Sequence, residues 1–255
     1  MTTATDESTL TQPSLELGMS PDRDRHCTEF STNRRTRVVD FLKPAEALRL
    51  YRHLDQDVQW HSFLAADGKL LAASPGPNGR YSAELEKAMF ERAVASARNG
   101  LSFWYEANRL FAEDLPNGAV VVESPGTPML TQLHHTLNSA PFLDLLRAIT
   151  GIGAIAATQI QATRHRAGHF ASFVTAPPAA PGVCAAFAIN MTLEWMPEWG
   201  GLREFSGKRD YSVEAYIPSF NVLDIYALPQ GHWISQVTPF ASASRLEISG
   251  RIYTH

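Results

Sequence analysis

Apolar and polar positions divide the chain into an N-terminal half that mixes helices with strands and a C-terminal half of short strands. From Ile152 onwards, β-rich runs recur at regular spacing and are separated by Gly, Pro and Ser. This pattern is typical of an all-β sandwich or barrel. We predict strands at residues 154–163, 168–175, 185–192, 203–205, 213–217, 222–227, 233–237 and 245–252. About eight strands in roughly a hundred residues favour a jelly roll.

The N-terminal half carries apolar residues at helical spacing in several places. This spacing predicts helices at residues 45–54, 83–98, 128–138 and 141–149. Strands are predicted at 38–42, 60–64, 70–73, 101–111 and 118–123, with a hairpin turn at Asp67-Gly68. Helices with one apolar stripe should pack on a sheet. The predicted fold is therefore mainly β with helices (α+β): a double-stranded β-helix, a cupin-like jelly roll, supported by N-terminal helices.

The first 35 residues are polar and lack apolar periodicity. We predict that residues 1–35 form a flexible N-terminal arm. Residues 36–255 are then expected to form a single domain, in which 36–151 are the helical and sheet-flanking part and 152–255 the jelly-roll core.

Composition and charge limit the classes of partner. The chain has 255 residues, 44% of them hydrophobic, with a formal net charge of −4. Such a chain has no basic footprint for nucleic acid or an anionic membrane. Cys27 and Cys184 are too few for a disulfide framework, and the N-terminus lacks the apolar stretch of a signal peptide. We expect a cytoplasmic protein that binds a small molecule, with no nucleic-acid or membrane partner; a homodimer is left open.

Several segments of the C-terminal half carry motifs in a fixed order. They are residues 159–176 (QIQATRHRAGHFASFVTA), 191–202 (MTLEWMPEWGGL), 218–223 (PSFNVL), 229–239 (PQGHWISQVTP) and 245–250 (RLEISG). In this order they resemble the prolyl-4-hydroxylase-like branch of the 2-oxoglutarate/Fe(II) dioxygenases. The last segment resembles that branch's R-x-S-I-x-G-W. The resemblance implies a jelly-roll oxygenase fold over about the last 120 residues.

The resemblance also implies a metal site, and the sequence departs from it there. In that family two His and one carboxylate bind the iron, and an arginine holds the carboxylate of 2-oxoglutarate. His232 matches the third ligand and Arg245, thirteen residues later, matches the arginine. The other two ligands would fall at Val174 and Ala176, whose side chains have no lone pair to donate. No Asp or Glu lies between Asp144 and Glu194, so no shift of register supplies a carboxylate.

Two further departures lie near the expected pocket. His165 stands where the family often has a tyrosine that contacts 2-oxoglutarate, and Ala171 replaces a bulky leucine. With Val174 and Ala176, these changes make the expected inner wall smaller and more apolar. We expect no cofactor; Fe(II) and 2-oxoglutarate would be required only by an oxygenase with unusual ligands.

Candidate site residues follow from these matches. His232 and His165 are the candidate catalytic residues, because an imidazole can transfer protons near neutral pH. Arg245 is expected to bind a ligand carboxylate, since a guanidinium is costly to bury without an anion and the sequence shows no buried carboxylate partner for it. Glu204 and Asp224 are the nearest barrel carboxylates that could assist. The other candidate ligand-binding residues are Val174, Ala176, Trp199 and Asn221.

Three functional hypotheses remain open. The first is a metal-independent enzyme that acts on a small anionic or amino-acid-like molecule by proton transfer, in a cyclisation, isomerisation, elimination or hydrolysis. The second is a non-catalytic pseudo-oxygenase that binds a ligand or a partner protein. The third is an active 2-oxoglutarate oxygenase whose iron is held by His232 with His165 or His169. The sequence favours an enzyme and names no substrate.

Overall fold

The structure is a computed structural model that describes residues 15–18, 22–109, 127–174, 181–207 and 212–254. The strand predicted at 118–123 and the candidate residue Ala176 lie outside these ranges. The helices are Arg23–Asn33 (α1), Pro44–Gln56 (α2), Ala83–Ala97 (α3), Pro128–Leu137 (α4) and Ala140–Thr150 (α5). The strands of the N-terminal half are Arg35–Val38 (β1), His61–Ala66 (β2), Lys69–Ala73 (β3) and Phe103–Arg109 (β4).

The C-terminal half consists of antiparallel strands that alternate between two four-stranded sheets. The strands are Ile155–His165 (β5), Phe170–Val174 (β6), Val183–Asn190 (β7), Arg203–Ser206 (β8), Val213–Tyr216 (β9), Val222–Ala227 (β10), His232–Ile234 (β11) and Arg245–Thr254 (β12). The order in one sheet is β10-β7-β12-β5, and in the other it is β6-β11-β8-β9. Apart from β8 and β9, which pair within one sheet, consecutive strands alternate between the two sheets. This arrangement defines a double-stranded β-helix, and it confirms the predicted jelly roll.

The N-terminal half completes the barrel and covers it. Strand β4 pairs with both β5 and β6, so it joins the two sheets along one side. Strand β1 extends the first sheet beyond β10, and β2 and β3 continue from β4. The predicted hairpin and the four predicted helices are confirmed, with ends that differ by a few residues.

Two hydrophobic layers cover the outer faces of the sheets. The larger lies between the first sheet and helices α2, α4 and α5; its members include Leu50, Leu54, Leu133, Phe142, Leu146, Phe187, Ile189, Ile225 and Ile248. The smaller lies under α3 and contains Leu64, Ala66, Met89, Ala93, Trp104 and Phe170. The apolar side chains of these two layers point outwards to the helices, and the inner face of the barrel carries other residues, including a small buried cluster of Ala186, Phe205 and Tyr226. None of the described helices combines the length and apolar character that a membrane span requires.

The flexible arm predicted for residues 1–35 is wrong over residues 23–33, which form α1. Asp22 caps this helix by accepting a hydrogen bond from the backbone N–H of Arg25 at 3.2 Å. The helix packs on α5 and β1 and buries His26 and Phe30. Phe30 is the only large apolar residue between 22 and 33, so no periodic pattern was available to predict the helix.

The strand predicted at 38–42 instead lies at Arg35–Val38. The chain turns at Asp40, whose φ of 53° is left-handed. Asn221 holds the segment after this turn: its side-chain oxygen accepts from the backbone N–H of Leu42, and its side-chain nitrogen donates to the Leu42 carbonyl, both at 2.8 Å. Asn221 therefore has a structural role, and its contact with a ligand stays a prediction.

Gly250, in the last of the motifs, is required by close packing between β12 and β7. A Cβ atom at this position would lie 2.2 Å from Cζ of Phe187, its cross-strand partner. We expect Gly250→Ala to lower the free energy of unfolding by about 1–3 kcal/mol, measured by urea unfolding.

The matched control is Gly153→Ala, because a Cβ there meets no atom within 4 Å. Combining Gly250→Ala with Phe187→Leu should recover part of the loss, since the smaller side chain relieves the overlap. Equal stability of the two single variants would contradict this account of Gly250.

Candidate functional site

The inner face of the barrel carries a band of charged and polar side chains. Along β12, Arg245 and Glu247 point inwards, because side chains alternate along a strand and Leu246 and Ile248 pack in the helix-facing layer. Strand pairing sets His165 directly across from Arg245. Most members of this band are buried, so their charges and hydrogen bonds determine what the barrel can bind.

Glu247 connects two arginines from opposite sheets. One carboxylate oxygen accepts a hydrogen bond from Nη2 of Arg203 at 2.6 Å, and the other accepts from Nη2 of Arg245. All three residues are buried. Burial alone would raise the pKa of Glu247, but the two guanidiniums hold that pKa at about 2. Glu247 is therefore a stable buried anion.

This arrangement corrects the expectation that Arg245 has no buried carboxylate partner. A signal was present in the sequence, because residues two apart on a strand share a face, and Glu247 is two residues after Arg245. The participation of Arg203 could not be predicted in the same way. It lies on β8, more than forty residues away in sequence, and only the barrel closure brings it to Glu247.

Some of the hydrogen-bond donors of the two arginines lack a partner among the described residues. Nε and Nη1 of Arg245 and Nε of Arg203 are buried and have no hydrogen-bond partner among the described residues. Nη1 of Arg203 donates to the hydroxyl of Tyr226 at 3.2 Å. Two guanidiniums share one carboxylate, so the group carries one positive charge in excess. A buried donor without a partner is costly, and this cost favours an additional acceptor beside Arg245.

The other two carboxylates considered from sequence are placed differently. Asp224 accepts hydrogen bonds from Nε of Arg37 and from Nδ2 of Asn190, both at 2.7 Å. It therefore forms an ion pair of its own and does not neutralise Arg245. Glu204 alternates along β8 with Arg203 and Phe205, which face the interior, so it points outwards.

His232 lies on β11, and its ring contacts that of Tyr226 at a centroid distance of 4.9 Å. Its Nδ1 is 2.9 Å from the carbonyl oxygen of Gln230. A carbonyl only accepts, so Nδ1 donates and the lone pair is on Nε2. Burial, followed by the positive charge of Arg203, lowers the pKa of His232 to about 4. The imidazole is therefore neutral at pH 7, with Nε2 available as a base or ligand.

The other two candidate histidines lie on different faces. The ring of His165 stacks on Tyr105 with 5.4 Å between centroids, and neither of its ring nitrogens has a partner among the described residues. Burial, with the adjacent Arg245, holds the pKa of His165 well below its usual value. His169 packs instead on Trp104, 4.4 Å between centroids, in the layer under α3. Burial, with Arg166, lowers its pKa to about 3.

The metal centre implied by the resemblance does not fit the described residues. No group of three His, Cys, Asp or Glu side chains in the described ranges is arranged to hold a metal ion. His232 has the tautomer of a metal ligand, with Nδ1 bound to a carbonyl. His165, however, lies beside the cationic Arg245, whose charge would oppose a metal ion. Strand pairing places the backbone of Val174 across from His232, and Ala176 lies outside the described residues.

The segment between β7 and β8 covers Arg245. Trp199 ends a short 3₁₀ helix and contacts Trp195 edge to face, and Nε1 of Trp195 donates to the Gly200 carbonyl at 2.8 Å. Gly201 has a left-handed φ of 61°, and a Cβ there would lie 3.4 Å from Cδ of Arg245. The glycine thus lets this segment lie directly over the arginine. Contact of Trp199 with a ligand stays a prediction.

A separate cavity of about 380 Å³ lies outside the barrel. It is lined by Val94, Ala97 and Arg98 at the end of α3, and by residues of β6, β11 and the segment after β11. Since Phe170 in its wall belongs to the layer under α3, the cavity opens on the outer face of the second sheet. It includes Ala171, which was expected on the inner wall of the barrel, and none of the catalytic or ligand-binding residues predicted from sequence.

Comparison with known proteins gives the fold a wider context. No protein-family model matches the chain, and no curated protein matches its sequence. Solved structures do match over nearly the whole chain. A Pseudomonas putida prolyl-4-hydroxylase is 13% identical with a TM-score of 0.55, covering 92% of this chain and 100% of that one.

Two further structures extend this result. A Burkholderia pseudomallei oxidoreductase of the 2OG-Fe(II) oxygenase family is 10% identical with a TM-score of 0.60, covering 96% and 97% of the two chains. A Trichoplax adhaerens prolyl hydroxylase, in complex with a hypoxia inducible factor peptide fragment, is 12% identical with a TM-score of 0.56, covering 91% and 89%. Identities this low establish the architecture and leave the activity open. The chain has the fold of the prolyl hydroxylases and 2OG-Fe(II) oxygenases.

Proposed function

We propose that the protein binds a small molecule carrying one carboxylate inside the barrel and acts on it without a metal, by proton transfer. The observation that carries this proposal is the pair of buried arginines that share Glu247. Three of their nitrogens, Nε and Nη1 of Arg245 and Nε of Arg203, have no partner among the described residues. A ligand carboxylate beside these donors would supply a hydrogen-bond acceptor and offset the charge excess.

The environment of Arg245 strengthens such a bond. Arg245 is fully buried, and Gly201 lies against its side chain. In a site shielded from water, a hydrogen bond between a guanidinium and a carboxylate is worth about 1.5–3 kcal/mol, or roughly ten- to a hundredfold in affinity. The carboxylate would therefore supply much of the affinity, and the rest of the ligand would extend towards His232.

His232 is the group best placed to move a proton. Its side chain is partly buried and neutral. The Gln230 carbonyl accepts from Nδ1, so the lone pair on Nε2 remains available to accept a proton. The positive charge of Arg203 is one cause of its low pKa. A ligand anion near Arg203 would offset that charge and raise the pKa of His232, so the base becomes stronger once the ligand is bound. Such a base suits an isomerisation, cyclisation, elimination or hydrolysis.

A non-catalytic binding protein would use the same carboxylate site without proton transfer. Retained ligand affinity in His232→Gln, with no chemical change of any ligand in the wild type, would favour that alternative. An oxygenase with His232 and either His165 or His169 as ligands has less support. His169 lies in the layer under α3, and no third ligand joins these histidines in the described ranges.

The coupling between ligand and base can be measured directly. We expect saturation with a monocarboxylate, chosen from acetate, pyruvate and benzoate by thermal shift, to raise the pKa of His232 by about one unit, which corresponds to about 1.4 kcal/mol of interaction. The pKa is read from the imidazole Cε1–H resonance in an NMR titration, and His232→Gln identifies that resonance. A ligand that stabilises the protein but leaves this pKa unchanged would contradict the proposed placement.

Substitution of Arg245 should affect both stability and binding. We expect Arg245→Met to cost about 3 kcal/mol of unfolding free energy, at the low end for a broken buried pair because Arg203 still holds Glu247. Arg245→Lys keeps the charge but loses the planar fork, so carboxylate affinity by calorimetry should fall about ten- to a hundredfold in both. The control is Arg37→Met, which breaks the Asp224 pair and should leave affinity unchanged.

Stability should decrease in mild acid because several histidines are held in the neutral form by the folded protein, and three of them have the most strongly lowered pKa values. Their folded-state pKa values are about 4 for His232, about 3 for His169 and well below 6.5 for His165. The unfolded chain therefore binds more protons below pH 6.5. Stability is complete above that pH and falls as the pH drops towards 4, by up to about 1.4 kcal/mol per pH unit for each histidine.

Urea unfolding between pH 7.5 and 4.5 tests this expectation. The three histidines together give a slope of about 4 kcal/mol per pH unit near pH 5. His169→Phe should remove about a third of that slope, because the ring already packs on Trp104 and the apolar replacement does not titrate. A free energy of unfolding that is flat across this range would show that the histidines are protonated in the folded protein.

A further inference from the structure

Glu247 has a second consequence, which concerns the cosubstrate of the proteins that share this fold. We infer that the Glu247 carboxylate takes the place of a ligand carboxylate on Arg245, so that the protein excludes 2-oxoglutarate. The resemblance assigns Arg245 to the carboxylate of that cosubstrate, and it has a serine where this chain has Glu247. The inference does not depend on the proposed function, because Glu247 would block a dicarboxylate whether or not the barrel binds a monocarboxylate.

The contacts place Glu247 where an external carboxylate would compete with it. Its two oxygens bind Nη2 of Arg245 and Nη2 of Arg203, so it is held from both sheets of the barrel. The side chain is attached to the same strand as Arg245 and therefore has a high effective concentration at that guanidinium. An external carboxylate would have to displace it or bind beside it.

Charge makes both routes unfavourable for 2-oxoglutarate. The pKa of Glu247 is about 2, so its carboxylate stays ionised and cannot relieve repulsion by taking up a proton near neutral pH. A second carboxylate on Arg245 would lie close to the first in a site shielded from water, where like charges repel strongly. The trio has one positive charge in excess, whereas 2-oxoglutarate brings two negative charges. A single carboxylate would balance that excess, whereas the two carboxylates of 2-oxoglutarate would leave the site with a net negative charge.

The lack of an iron-ligand set among the described residues agrees with this inference. In the described ranges no complete ligand set for an iron is present, so the second carboxylate of 2-oxoglutarate would find no cation there to balance it. The described residues are therefore unsuited both to binding the cosubstrate of that family and to binding its metal. A test must read out binding of 2-oxoglutarate to the protein itself, without any metal present.

The experiment removes the internal carboxylate and asks whether an external one replaces it. Wild type, Glu247→Ala and Glu247→Gln are titrated with 2-oxoglutarate and with acetate in buffer containing EDTA, by calorimetry and thermal shift. We expect no saturable binding of 2-oxoglutarate to wild type. Glu247→Ala leaves a vacant space between Arg203 and Arg245, so it should bind 2-oxoglutarate at least tenfold more tightly and be stabilised by acetate.

Glu247→Gln removes the charge but keeps the volume, so its gain should be smaller than that of the alanine variant. It decides the test if Glu247→Ala does not fold, and any gain over wild type then supports the inference. The matched control is Asp224→Asn, which removes another buried carboxylate of the barrel, one paired with Arg37 rather than Arg245. This control should gain no affinity for 2-oxoglutarate.

The results separate this inference from the proposed function. Binding of 2-oxoglutarate to wild type as tight as to Glu247→Ala, or no gain in either folded Glu247 variant, would overturn the inference. Failure of the proposed function would appear elsewhere, as the absence of any monocarboxylate that stabilises wild type. A gain of 2-oxoglutarate binding in Glu247→Ala would still support the inference in that case.

Discussion

The interior of this barrel depends on one buried carboxylate. Glu247 on β12 binds Arg245 on its own strand and Arg203 on β8, so a single anion connects the two sheets. Burying two guanidiniums is tolerable only because Glu247 is held ionised between them. A buried pair of this kind fixes a specific arrangement more than it adds stability. Arg203 also donates to the hydroxyl of Tyr226, and the covering segment at Gly201 lies against Arg245.

The same constraint leads from structure to chemistry. Because one carboxylate serves two guanidiniums, this trio carries one positive charge in excess, and three of its donors have no partner among the described residues. That charge lowers the proton affinity of His232, whose tautomer is fixed by the Gln230 carbonyl. In the proposed function, anion binding would change the proton affinity of His232 through the charge of Arg203. Individual side chains, and not the shared fold, support the proposed function, since that fold alone permits many activities.

Much of the fold was accessible from the sequence, because apolar periodicity and turn residues report local structure directly. The eight jelly-roll strands and helices α2 to α5 follow from such patterns. The helix at Arg23–Asn33 does not, since only Phe30 among its residues is large and apolar. The strand predicted at 38–42 lies earlier in the structure, at Arg35–Val38. Val38 and Val39 suggested a strand that begins there, but the positive φ of Asp40 turns the chain at that point.

The candidate site was only partly predictable, for a physical reason. Motif spacing identifies His232 and Arg245, and strand periodicity would have identified Glu247 beside Arg245. The contact with Arg203 forms only when the second sheet closes over the first, and no local pattern reports that. Asn221 shows the opposite difficulty. It belongs to one of the motifs, but its side-chain oxygen and nitrogen both bond to the backbone of Leu42.

The pairing of β4 with both β5 and β6 has a consequence for dissecting this protein. Residues 152–255 contain the jelly-roll strands β5 to β12, so this segment could be chosen for expression as an isolated fragment. Without β4 and β1, however, that fragment would expose backbone donors and acceptors along β5 and β10, together with the apolar face that α2, α4 and α5 cover. Unprotected edges of this kind recruit further strands from other molecules. The isolated fragment is therefore expected to aggregate. In the whole chain, the N-terminal half covers those strand edges and that apolar face.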